Sequence, residues 1–204
     1  MNSSTNKNHW ENVYETKNPD QVSWTQEKPQ TSLNFIHSFG LGKEAKIIDI
    51  GGGDSTLVDF LLEEGYENIT VLDISAKALE KAKERLGDQA EKVKWIATDI
   101  TAFEPTETYD IWHDRAAFHF LTTPEQISAY IDIAEKNINK FLVLGTFSKN
   151  GPTKCSGLDI QQYDEASLSE KFMESFDKIQ CITEDHTTPF ETTQNFVFCS
   201  FKKH

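Results

Sequence analysis

The sequence predicts an α/β fold, a mostly parallel sheet with helices on both faces. Three features carry this expectation. Apolar runs of strand length alternate with segments of helical period between Ala45 and Phe147, glycines mark many of the junctions between them, and two further apolar runs near the C-terminus are placed to close the sheet with an antiparallel hairpin.

The elements are read in chain order. Met1 to His9 look like a frayed polar arm, after which Trp10, Tyr14 and Trp24 stand in the otherwise polar stretch WENVYETKNPDQVSWTQEKP. Aromatic rings in such a setting need a surface to pack on. Residues 1–32 are therefore expected either to anchor as an arm on the single domain formed by residues 33–204 or to close over its ligand as a lid. Leu33 to Phe39 reads as a short helix ended near Gly40 and Gly42, and AKIIDIGGG as a strand running into a glycine cluster. Ser55 to Glu64 carries Leu57, Phe60, Leu61 and Leu62 at helical spacing, with Gly65 as its stop. ITVLDIS is a second strand ending in an acid, followed by a helix from Lys77 to Leu86 that Gly87 closes. VKWIATDI, YDIWHD and KFLVLGTF supply the third, fourth and fifth strands, with a helix from Pro124 to Ile138 between the last two. Beyond Phe147 the tract SKNGPTKCSG reads as a loop and Glu165 to Ser175 as a helix. KIQCITEDHT and NFVFCSF read as the two strands of the terminal hairpin, turned near Pro189.

Composition narrows the function classes. With 20 Lys and Arg against 33 Asp and Glu the formal net charge is −13, which repels a phosphate backbone and makes nucleic acid an unlikely substrate. Cys155, Cys181 and Cys199 are odd in number, widely spaced and without a CxxC pair, and the opening MNSSTNKNHW has no apolar leader. A reducing, cytoplasmic setting without a membrane span is the expectation, with a monomer as the default.

The most informative local feature is KIIDIGGGDSTLVDFLLEEG, a strand, a glycine turn and a helix. Gly51 and Gly53 let the backbone turn tightly and approach a ligand, and the helix start presents free amides to a polar or anionic group. A dinucleotide fingerprint would place a third glycine where Thr56 stands. Asp73, at the end of the second strand, is spaced from the glycines like an acid that receives a ribose diol. An adenosine-containing ligand is indicated, and a diphosphate is less so.

At these residues the chain resembles the class I S-adenosylmethionine-dependent methyltransferases, over essentially Lys46 to Lys202. The first motif of that family is similar to Asp49, Gly51 and Gly53 here, with Ser55 where many members have a further glycine. The resemblance implies a Rossmann-like sheet of seven strands, the last antiparallel, and S-adenosyl-L-methionine as cofactor. It implies that Asp73 holds the ribose hydroxyls, that Ile74 flanks the adenine, and that Asp99 meets the adenine amino group while Ile100 packs on the ring. The segment YDIWHDRAAFHFL is similar to the fourth motif and would put His113 at the strand end beneath the sulfonium. The arm resembles segments that fold over the cofactor, which would bring Tyr14 and Trp24 to it. From the residues alone, Asp49, Asp73 and Asp99 each keep a second reading as acids that order a turn or cap a helix.

Methyl transfer needs alignment and desolvation more than a protein nucleophile. If the acceptor must lose a proton, WHDRAAFHFL offers candidates: His119 first as base or acceptor-orienting group, then His113, with Asp114 to orient a histidine or bind a cation and Arg115 to clamp a carboxylate. The alternatives are packing of His119 between Phe118 and Phe120, and a mutual Asp114–Arg115 ion pair. Cys155 has no partner that would activate it, and no metal-ligand spacing is present. A small-molecule acceptor is favoured. A protein lysine or terminal amine, a nicotinamide-dependent oxidoreductase, and a non-catalytic cofactor-binding protein are the alternatives.

Overall fold

The computed structural model describes residues 3–204. Five parallel strands, β1 (Lys46–Ile50), β2 (Asn68–Asp73), β3 (Val93–Ala97), β4 (Tyr109–Arg115) and β5 (Ile138–Phe147), are extended by a hairpin of β8 (Phe176–Thr187) and β9 (Thr193–Lys203). The order is β3-β2-β1-β4-β5-β9-β8, and β9 runs antiparallel to both of its neighbours. This is the seven-stranded Rossmann-like sheet with a C-terminal hairpin that the sequence predicts.

Helices α2 (Gln30–Ser38), α3 (Leu57–Glu63) and α4 (Ala76–Leu86) cover one face, burying Leu33, Ile36, Leu61 and Leu79 against Ile47, Ile69 and Ile111. Helices α5 (Pro124–Asn137) and α6 (Glu165–Phe172) cover the other, where Tyr130, Ala134, Leu168 and Phe172 pack on Ile48, Trp112, Leu142 and Phe201. Adjacent residues of a strand face opposite ways, and β4 shows this at close range. His113 hydrogen-bonds Ser32 on the α2 side, whereas Asp114 accepts a hydrogen bond from Tyr130 on the α5 side. Tyr130 in turn accepts one from the indole of Trp112, at 2.9 Å.

Three sequence-based expectations need correction. The segment expected to fray as far as His9 is helical from Ser3, in α1 (Ser3–Thr16), while Met1 and Asn2 lie outside the described residues. Its own propensity is poor and its docking supplies the stability. The Glu11 carboxylate accepts hydrogen bonds from the amides of Ala76 and Lys77 and from the hydroxyl of Ser75, at 2.9–3.1 Å, satisfying the orphan donors at the start of α4. Second, the tract expected as a plain loop holds a small hairpin, β6 (Lys154–Cys155) and β7 (Leu158–Asp159), turned by Ser156 and Gly157, both with positive φ. Third, the cysteines do not all stay unpaired. Cys181 and Cys199 face each other in the register of β8 and β9 and form a disulfide, leaving Cys155 free and buried. No described helix is long and apolar enough to cross a membrane.

The Trp112–Tyr130–Asp114 chain is fully buried, so its middle member cannot be replaced by water without reorganisation. Tyr130→Phe is expected to lower unfolding free energy by about 1–3 kcal/mol, because both partners lose a buried hydrogen bond. Urea denaturation measures this, and an unchanged midpoint would show that the chain adds nothing to stability.

Candidate active site

The parallel strands end on one side of the sheet, and a cavity opens there over the carboxyl ends of β1, β2 and β4. One end is lined by Gly51, Leu72, Asp73, Ile74, Thr98, Asp99 and Ile100; the other by Trp24, Arg115, His119, Phe120, Phe147, Cys155 and Phe196. The arm forms a wall, since Asn6, Trp10 and Tyr14, each one helical turn from the next, all line it. Trp10 meets Trp24 and Phe120 edge-on at centroid distances of 5.5 and 5.1 Å.

The glycine turn is built for close approach. Gly51 has φ +65°, and a Cβ there would stand 2.6 Å from the Cβ of Ala117. Gly53 has φ +47°, and a Cβ would meet the Tyr14 hydroxyl at 2.8 Å and an Asp73 carboxylate oxygen at 3.0 Å. Both glycines are thus required by the protein's own neighbours, before any ligand is considered.

The structure divides the residues expected at the site into two groups. Tyr14, Trp24, Gly51, Asp73, Ile74, Asp99, Ile100, Arg115 and His119 line the cavity. Asp49, Gly53, Ser55, His113 and Asp114 do not line it: Gly53 packs against Tyr14 and Asp73, and the other four are occupied elsewhere. Asp49 accepts a 2.7 Å hydrogen bond from Nδ1 of His113, whose Nε2 lies 2.8 Å from the Ser32 hydroxyl, so β1, β4 and α2 are tied together beneath the cavity floor. The Ser55 hydroxyl accepts from the amide of Leu57 at the start of α3. Asp114 accepts from the amides of Ala117 and Phe118 and holds the turn after β4, with no pairing to Arg115 on the opposite face. Asp99 lines the cavity while also accepting from Thr101, so its turn-ordering role and its exposure to a ligand coexist. Trp10, expected in the sequence only as an aromatic of the arm, lines the cavity as well, and Phe147 and Phe196 line it without having been expected there. The one-turn spacing from Trp10 to Tyr14 puts both on the same face of the arm, whereas Phe147 and Phe196 reach the cavity through sheet pairing that residue spacing does not reveal.

Residues 47–136 match a family described as a methyltransferase domain. A malonyl-[acyl-carrier protein] O-methyltransferase of Anoxybacillus flavithermus is 34% identical over 58% of this chain and 47% of its own length. An eEF1A lysine and N-terminal methyltransferase of Mus musculus is 26% identical over 58% of the chain and 17% of its own length. The chain thus spans half or less of these curated relatives. A SAM-dependent methyltransferase structure from Anabaena variabilis superposes with a TM-score of 0.78 at 14% identity, covering 100% of this chain and 96% of that one.

Over residues 47–136 the chain is similar to a methyltransferase domain, and its fold is that of the class I S-adenosylmethionine-dependent methyltransferases. The cavity suits such a cofactor chemically: Asp73 is a buried hydrogen-bond acceptor on its wall, Gly51 brings backbone to its lining, and the aromatic wall can face a cationic sulfur. Burial, reinforced by the nearby carboxylates of Asp49 and Glu11, pushes Asp73 up to about 7. At the other end burial and the neighbouring Arg115 guanidinium drive His119 down to about 3. His119 is therefore neutral and a feeble base. Its Nδ1 accepts from the amide of Phe147 at 3.4 Å, which leaves Nε2 as the N–H donor, buried and without a partner. Burial likewise lifts the Cys155 thiol to about 12 and the Tyr14 phenol well above its ordinary value. This end of the cavity consequently offers hydrogen-bond donors and a cation, and neither His119 nor Cys155 is a ready base at neutral pH.

Two predictions follow from this electrostatic layout. Unfolded Asp73 ionises near 3.8 and folded Asp73 near 7, so folding becomes less favourable as pH rises through that interval and the loss is complete above it. Asp73→Asn, which cannot ionise, should raise the melting temperature more at about pH 8 than at about pH 5; equal shifts at both would detach the effect from ionisation. For the arm, loss of one charge-assisted cap worth about 1.5 kcal/mol should increase the opened population about tenfold. Glu11→Ala is therefore expected to speed tryptic cleavage after Lys17 while leaving cooperative unfolding of the sheet in place. An unaltered cleavage rate would mean that Glu11 does not hold the arm.

Proposed function

We propose that the chain transfers the methyl group of S-adenosylmethionine to a small-molecule acceptor. In this reading Asp73 receives the ribose hydroxyls, Ile74 and Ile100 sandwich the adenine, and Asp99 meets its amino group. Gly51 and Gly53 give the methionyl portion access to backbone, and residues 1–32 act as the lid. The observation that carries the reading is the two-ended cavity, polar and acidic where an adenosine would lie and aromatic beyond it, walled by the chain's own arm. Once bound, the cofactor supplies an electrophilic methyl on a positively charged sulfur. The protein's part is to hold it in line with the acceptor and to exclude water, for which Trp10, Tyr14 and Trp24 are placed. Asp49 and His113 support this from below by fixing the strands that carry the turn.

The names of the relatives point to different acceptors, a carrier-protein-linked malonyl group in one and lysine or a terminal amine in the other. The site favours the small molecule over the amine. A lysine would bring its positive charge beside the buried Arg115 guanidinium and would need a base to remove its proton.

Isothermal calorimetry with S-adenosylmethionine and S-adenosylhomocysteine tests the cofactor assignment, with oxidised and reduced nicotinamide dinucleotides as controls. One-to-one binding of the first pair alone is expected, and Asp73→Ala should weaken it by about tenfold or more, given the hydrogen bonds to a charged acceptor that are lost. Binding of the nicotinamide pair alone would replace this reading with an oxidoreductase, and binding of neither pair would remove it.

A further inference from the structure

Arg115 is the one cationic side chain among the described residues that line the cavity, and its hydrogen bonding is incomplete in a specific way. Nη1 donates to the carbonyl of Trp24 at 3.1 Å. Nε and Nη2 are buried and have no partner. These two nitrogens form one edge of the guanidinium, with parallel N–H bonds spaced to match the two oxygens of a carboxylate. The acids closest in electrostatic effect are committed to other donors: Glu184 accepts from the Thr31 hydroxyl and Asp49 from His113. The cation is instead set over the ring of Phe196, 5.0 Å from its centroid.

An unsatisfied buried donor pair on a charged group is expensive to maintain, so its retention at a cavity wall calls for a ligand acceptor. His119, which lines the same end of the cavity, holds a second unpaired buried donor at Nε2. The surroundings of these donors are aromatic, from Trp24, Phe120, Phe147 and Phe196. Taking the cofactor reading above as given, the sulfonium would add a second positive charge to this desolvated space, and a negative charge on the acceptor would offset both.

We infer that the methyl acceptor is a small apolar or aromatic carboxylic acid whose carboxylate docks on the Nε–Nη2 edge of Arg115, with His119 donating from beside it. Arg115 is then the residue that selects the acceptor class. The methionyl end of the cofactor carries a carboxylate as well, and the experiment separates the two sources.

Wild-type protein saturated with S-adenosylhomocysteine is titrated with matched acid and amide probes: benzoate and benzamide, phenylacetate and phenylacetamide, indole-3-acetate and indole-3-acetamide. Binding is read by ligand-observed NMR. The acid of at least one pair should bind about tenfold or more tightly than its amide, as expected of a charge-assisted bidentate contact. Arg115→Met should abolish that preference and Arg115→Lys, which keeps the charge but not the fork, should retain only part of it. In both variants the affinities for S-adenosylhomocysteine and for methylthioadenosine, which lacks the amino-acid portion, should stay within about twofold of wild type, and that retention also reports that the variants are folded. Acids and amides binding alike, or no acid binding, overturns the inference. A loss of S-adenosylhomocysteine affinity in Arg115→Met with methylthioadenosine unaffected also overturns it, by assigning Arg115 to the cofactor's carboxylate. Failure of wild-type protein to bind S-adenosylhomocysteine at all would strike the cofactor reading itself, a separate result.

Discussion

Three carboxylates, Asp49, Asp73 and Asp114, lie buried near the carboxyl ends of the neighbouring strands β1, β2 and β4. A carboxylate cannot be buried at tolerable cost unless donors converge on it, and the loops beyond these strands have the shapes that make this possible. Asp114 draws the amides of Ala117 and Phe118 into a tight turn, Asp73 takes the amide of Ser75 at the start of α4, and Asp49 takes the ring of His113. The floor and rim of the cavity are set by this requirement. Only Asp73 of the three also lines the cavity, and burial keeps its ionisation near neutrality.

Placement of charge explains why the two ends of the cavity differ. The end at Asp73 and Asp99 is supplied with acids, whereas the far end has one cation, a neutral imidazole and aromatic faces. That contrast survives the strongly acidic surface, because the groups that create it are shielded from solvent and respond to their immediate neighbours far more than to the net charge of −13. A histidine depressed this far is better suited to orient a ligand through a hydrogen bond than to remove its proton.

The order of the seven sheet strands, the helices between them and the glycine turn were legible in the sequence, since each is encoded locally: apolar runs fix strands, glycine fixes the turn, and an acid at a strand end is adjacent in sequence to the helix start it caps. What the sequence did not show depends on residues brought together from far apart. Cys181 and Cys199 meet only through hairpin register, and Phe147 and Phe196 reach the cavity only once β5 and β9 pair. The separate fates of His113, Asp114 and Arg115 follow from strand alternation, which puts adjacent residues of one motif on opposite faces. Helix α1 was hidden for a different reason: its asparagine-rich start has little intrinsic preference for helix, and its stability comes from Glu11 and the packing of Trp10 and Tyr14.

The position of Glu11 ties the docking of the arm to the surroundings of Asp73. Its carboxylate closes the first turn of α4, and Ser75, which donates to Glu11 through its hydroxyl, donates its own amide to Asp73. The docked arm thus gives the helix start its negative partner and sets the Glu11 carboxylate near Asp73. The arm and the buried acid of the cavity are therefore fastened to one and the same helix end, through the two donors of a single serine.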